Sequence, residues 1–131
     1  MTTPDHVVVE ASYMIDVLLG CAELPSALMS APAHFDAEVV SALVRLHRRE
    51  VIDSDDLTSF VQLVSVVDIR RVSTTPLIWR VVDLRDALAI PDAWYVALAE
   101  GLEAALLTAD LRVAAACRQH GWCDVLTPPG R

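Results

Sequence analysis

Short apolar runs alternate with longer stretches of helical periodicity, and this alternation limits the possible folds more than any other feature of the chain. Residues 6–9 carry three consecutive valines and are too few for a helix, so they read as a buried strand. Residues 69–73, 105–107 and 124–126 read as further strands. Residues 11–19 have helical spacing, with Tyr13, Met14, Val17 and Leu18 on one face and Gly20 as a stop. Residues 34–49 repeat Phe35, Val39, Leu43 and Leu46 at helical intervals. Asp53 and Ser54 are N-cap types for a helix whose buried stripe is Leu57, Phe60, Val61 and Val64. Thr75 and Pro76 open a helix expected to reach Ala87, and Pro91 opens one closed by Gly101. Asp110 heads the last helix, which ends near Gly121. Between Pro25 and Pro32, residues 26–29 are expected to form a short turn of helix. Strands alternating with helices predict an α/β fold with a mostly parallel central sheet flanked by helices.

The chain has 131 residues, which predicts one domain over 1–131, with 126–131 a fraying tail. An apolar content of 54% and charged content of 21% exclude a disordered or fibrous chain. No apolar run approaches the ~18 residues that span a bilayer, and no basic segment precedes the first apolar run. A soluble, cytoplasmic protein is expected. The net charge of −8 argues against a passive nucleic-acid coat, which needs a basic stripe. It leaves open an enzyme acting on nucleic acid through divalent cations. All ten basic residues are Arg; Arg45, Arg48 and Arg49 cluster, as do Arg70 and Arg71. Cys21, Cys117 and Cys123 lack zinc-site spacing and read as buried or free thiols.

Four acids stand where ligands bind in parallel sheets, outside the carboxyl ends of strands and at helix starts. Glu10 follows the first strand, Asp110 follows the 105–107 strand, Asp92 lies in a first helical turn, and Glu38 lies among apolar neighbours on a helix. If these acids cluster, they repel one another unless a cation intervenes, and hard oxygen donors select Mg²⁺ or Mn²⁺. Taken singly, each also has a structural role as strand-end cap, helix-start charge or helix surface.

The sequence resembles the PIN-domain ribonuclease toxins of the VapC type over nearly its whole length. VVVEASYMIDVLLG (7–20) resembles the family's opening strand, acid and helix, and APAHFDAEVVSAL (31–43) its Ala-Pro segment and Glu-Val helix. PDAWYVALAE (91–100) is the most specific stretch, and LLTAD followed by LRVA (106–114) resembles the Thr-x-Asp strand end with its following helix. The resemblance places Glu10, Glu38, Asp92 and Asp110 in the family's acidic metal site, with Ser12 and Thr108 as accessory hydroxyls. One position departs: the family usually has Asp where this chain has Glu10.

The resemblance implies a single PIN-like domain and a type II toxin–antitoxin role. It implies hydrolysis of RNA phosphodiesters by a water activated on Mg²⁺ or Mn²⁺. It also implies a VapB-type antitoxin and a homodimer. A catalytically weakened PIN-like binding protein is the alternative, and a related nuclease acting on DNA is a third reading. No Cys–His or Ser–His pairing asks to be a triad, and four glycines leave no Gly-rich phosphate loop. His34 and His47 read mainly as solvated helix residues, and Trp94 as core or interface.

Overall fold

The computed structural model describes residues 4–130. Five parallel strands form one sheet: β1 (His6–Val9), β2 (Leu28–Pro32), β3 (Arg70–Val72), β4 (Ala105–Leu107) and β5 (Val125–Leu126), in the order β3-β2-β1-β4-β5. The flanking helices are α1 (Ala11–Leu18), α2 (Phe35–Arg48), α3 (Ser54–Val66), α4 (Ile78–Asp83), α5 (Ile90–Leu102) and α6 (Leu111–His120). The expected α/β fold with a parallel sheet is therefore present.

The core lies on the central strands. Val7, Val8 and Val9 are fully buried, with Val7 opposite Ala105 and Val9 opposite Leu107. Each such side chain contributes about 1.5–3 kcal/mol relative to exposure. Phe35, Val39 and Leu43 of α2 are fully buried too, as the spacing predicts. On α3, however, only Val64 of the expected stripe is buried; Leu57 and Phe60 are half-buried and Val61 is exposed. The α3 N-terminus holds a reciprocal capping box: Asp53 Oδ1 accepts from the Asp56 N–H and Asp56 Oδ2 from the Asp53 N–H.

Several expectations are corrected. Residues 26–29 form no turn of helix, because Leu28–Pro32 is strand β2, paired between β1 and β3. The prolines bound this segment without preventing pairing, and the buried Ser30 hydroxyl finds a partner in His6 Nε2 at 2.9 Å. Thr75 does not cap a long helix. Thr75–Leu77 is a single 3-10 turn with Thr74 at its N-cap position, and α4 ends at Asp83. Gly101 does not close α5; the helix continues to Leu102, and Glu103 takes the left-handed position at φ 52°. That conformation costs a non-glycine residue about 1–2 kcal/mol. Leu126 belongs to β5 rather than to a fraying tail, and Pro128 beyond it is buried.

The strand order positions the site. The chain builds β1, β2 and β3 toward one edge, then returns to lay β4 and β5 on the other side of β1. The connections from β1 and β4 therefore diverge, opening a crevice at the carboxyl ends of these two strands. The Glu10 N–H donates to Leu107 O at 2.9 Å, fixing the two strand ends against each other.

Candidate active site

Three acids meet in this crevice, each delivered by the start of a helix. Glu10 is the residue between β1 and α1, Asp110 is the N-cap of α6, and Asp92 lies in the first turn of α5. One carboxylate oxygen from each lies within 4.8 Å of the others. Three helix N-termini thus direct their positive ends toward the cluster, which partly offsets its repulsion.

The offset is incomplete. Burial pushes the Glu10 carboxyl up to about 8, the Asp92 and Asp110 charges add to the shift, and the Thr108 and Ser12 hydroxyls oppose it. Burial also raises Asp92, with Asp110 and Glu38 adding and Arg112 opposing. Glu10 is 4% exposed, and its Oε2 is buried without a hydrogen-bond partner. A buried carboxylate with an unused oxygen beside two further acids has the donor set a hard divalent cation requires. The residues present therefore fit such an ion.

The hydroxyls hold the cluster in place. Ser12 Oγ donates to Glu10 Oε1 at 3.3 Å and accepts from the Ala109 N–H at 3.1 Å. Thr108 is fully buried, and its Oγ1 accepts from the Asp110 N–H at 3.0 Å. Asp110 Oδ1 in turn accepts from the Arg112 N–H at 2.9 Å. Asp110 therefore caps α6 while its other oxygen, Oδ2, is 3.4 Å from the exposed Arg112 guanidinium.

Glu38 lines the same cleft, of about 600 Å³, but stands outside the tight cluster of three. Its Oε1 accepts from the Tyr95 hydroxyl at 2.5 Å and lies 3.4 Å from His34 Nε2. His34 packs edge-on against Tyr95 and also lines the cleft. Tyr95 is 1% exposed, and burial followed by its bond to Glu38 raises its phenol above the ordinary value. Reading the sequence missed Tyr95. The available signal was its position three residues after Asp92, on the same helix face. The exposed Arg45 also lines the cleft. His47 lies apart, bonded to Ser54 Oγ, and half-buried Trp94 packs on the core and on His34.

The fold and site define a PIN-type α/β domain with an acidic centre at the sheet's switch point. No protein-family model matches the chain. Ribonuclease VapC3 of Mycobacterium tuberculosis (strain ATCC 25618 / H37Rv) is 38% identical over 121 residues, covering 86% of this chain and 88% of the relative. Ribonuclease VapC12 of the same strain is 36% identical over 123 residues, covering 88% and 92%. Among solved structures, VapBC2 from Rickettsia felis bound to a promoter DNA fragment superposes with a TM-score of 0.66 at 8% identity, covering 94% of this chain and 98% of that one. VapBC-5 from Mycobacterium tuberculosis gives 0.58 at 19% identity, covering 95% and 98%. At such identities these structures establish the fold alone, whereas the sequence relatives establish the family. The chain belongs to the VapC ribonuclease family of PIN-domain proteins.

Proposed function

We propose that this protein is the toxin of a type II toxin–antitoxin pair, a Mg²⁺- or Mn²⁺-dependent endoribonuclease acting in the cytoplasm as a single domain. The observation that carries this reading is the Glu10–Asp92–Asp110 cluster, within 4.8 Å, in a chain whose relatives are VapC ribonucleases. Glu10, Asp92 and Asp110 would hold the ion, with Glu38 contributing from the lining of the same cleft. When bound, the ion lowers the pKa of water and offsets charge on the phosphoryl and leaving oxygens of an RNA phosphodiester. Ser12 would steady the Glu10 carboxylate through its Oγ, and Thr108 the Asp110 backbone through the Asp110 N–H. The guanidinium of Arg45, which lines the cleft, is a fork suited to a backbone phosphate. Water is the nucleophile, so no side chain need attack phosphorus.

The partners would be a VapB-type antitoxin and a second copy of the chain. Several apolar side chains are left for such partners to cover, Trp79 being 83% exposed and Val66 77%. No helix among the described residues is long and apolar enough to cross a membrane.

The test is cleavage of a structured RNA by the purified protein with Mn²⁺, with EDTA, and with Asp92→Asn and Asp110→Asn controls. Cleavage that needs the cation and both aspartates supports the enzyme. A protein that binds Mn²⁺ and RNA but leaves the RNA intact is instead the binding protein, its chemistry weakened by Glu10.

A further inference from the structure

Away from the acids, a second cleft of about 960 Å³ is lined by Glu103, Cys117, Arg118, Trp122, Cys123 and Asp124, among others. Cys117 lies in the last turns of α6 and is fully buried. Cys123 lies in the bend between α6 and β5 and is half-buried. Their sulfurs are 3.9 Å apart, in S–H···S contact. We propose that Cys117 and Cys123 form an oxidisable dithiol, a modification site at which a peroxide drives reversible formation of an intramolecular disulfide.

The two thiols are unequal in the manner such a site requires. Cys117 is held protonated by its hydrogen bond to Cys123 and by burial, while the same bond lowers Cys123 below the ordinary thiol value. The thiolate is the nucleophile, so the more accessible and more acidic Cys123 reacts first. Its sulfur attacks one peroxide oxygen, the O–O bond breaks, and the other oxygen leaves as water after taking a proton. Cys123 is then a sulfenic acid. The Cys117 sulfur attacks the sulfenyl sulfur, the S–O bond breaks, and the departing hydroxide takes the Cys117 proton to leave as water. Two thiols are oxidised to one disulfide and one peroxide is reduced to two waters.

Closing the pair from 3.9 Å to the ~2.05 Å of a disulfide needs a displacement of side-chain size. Cys123 lies outside any helix or strand, so its backbone is free of ladder hydrogen bonds that would resist the shift. Cys21, the third cysteine, is exposed on the turn after α1 and is not paired with either.

The experiment treats the full-length protein with hydrogen peroxide, denatures it, labels free thiols with a maleimide, and maps peptides without reduction. The expected result is loss of two hydrogens, a Cys117–Cys123 link, and full recovery of labelling by dithiothreitol. Cys21→Ser should give the same link. Cys117→Ser, which lacks the resolving thiol, should carry Cys123 on to the sulfinic acid. The proposal is overturned if the parent keeps both thiols labelled, links them to Cys21 instead, or oxidises Cys123 past the sulfenic state without a link. None of these readouts depends on the ribonuclease reading.

Discussion

The Tyr95 hydroxyl donates a 2.5 Å hydrogen bond to Glu38 Oε1, joining α5 to α2 across 57 positions of sequence. The contact separates the four acids into two groups. Glu10, Asp92 and Asp110 form a compact cluster, whereas Glu38 is tethered at one oxygen, leaving the other free for the cleft. In the proposed site such a tethered carboxylate would serve as a ligand or a water-orienting group, its aim set by the hydroxyl behind it.

Tyr95→Phe should therefore weaken the site without dismantling it. The ring stays buried, and Glu38, about one-third exposed, regains solvent in place of the hydroxyl. We expect a stability loss of about 1 kcal/mol from the missing bond. Loss of such a supporting bond lowers metal affinity by about 10-fold or more. Calorimetric Mn²⁺ titration of the RNA-free protein reads this directly. Equal affinities for Tyr95→Phe and parent would mean that Glu38 merely satisfies a buried phenol.

Asp110 has two separable duties, as N-cap of α6 and as a member of the cluster. Asn is as good a cap as Asp, whereas Ala loses about 1 kcal/mol at such a position. Asp110→Asn should keep the melting temperature within a degree or two of the parent, by the scale of ~2–8 °C per kcal/mol, and lose metal-dependent cleavage. Asp110→Ala should lose both. A destabilised Asp110→Asn protein would show that the charge, and not the cap geometry, holds α6 in place.

Most of the framework was legible because it depends on local pattern. Three valines ended by Glu10, and apolar positions four apart from Phe35 to Leu43, can be buried in few ways. Strand β2 was not legible, because Ser30, Pro25 before the strand and Pro32 at its end carry no strand signal. Its identity comes from pairing with β1 and β3 and from the His6–Ser30 bond. Gly101 misled for a different reason: it sits inside the exposed last turn of α5, and the left-handed closing position falls on Glu103, whose N–H donates to Ala99 O and Glu100 O. The residues of the acidic cleft were legible singly, from strand ends and helix starts. Their grouping into three plus one was not, since it depends on a tyrosine 57 residues from its partner.

Leu106 lies in β4 at 0% exposure, with β1 on one side and β5 on the other. Leu106→Ala should cost about 2–5 kcal/mol through lost transfer energy and the cavity left behind. Urea titration should show a lower midpoint with an unchanged slope, since the surface exposed on unfolding is nearly the same. A midpoint equal to the parent's would place Leu106 outside the packed core.

Glu10 sets the pH dependence of the metal-free protein. Its carboxyl is raised from 4.5 to about 8, chiefly by burial and then by Asp92 and Asp110. Between these values the folded protein retains a proton that the unfolded chain has released, so the native state binds more protons and stability falls as pH rises. The loss begins near 4.5 and levels off above 8, and Asp92, also raised, adds in the same direction. The metal-free melting temperature should therefore decline across this window. Added Mn²⁺ should reverse the decline, most strongly at its upper end, because the ion binds the deprotonated carboxylates. Glu10→Gln cannot ionise, so its pH slope should be shallower and its response to Mn²⁺ smaller. Glu10→Asp shortens the side chain by one methylene and should keep or raise cleavage. If Glu10→Gln melts with the same pH slope as the parent and cleaves RNA equally at every Mn²⁺ concentration, Glu10 is a strand-end cap, and the site consists of Glu38, Asp92 and Asp110 alone.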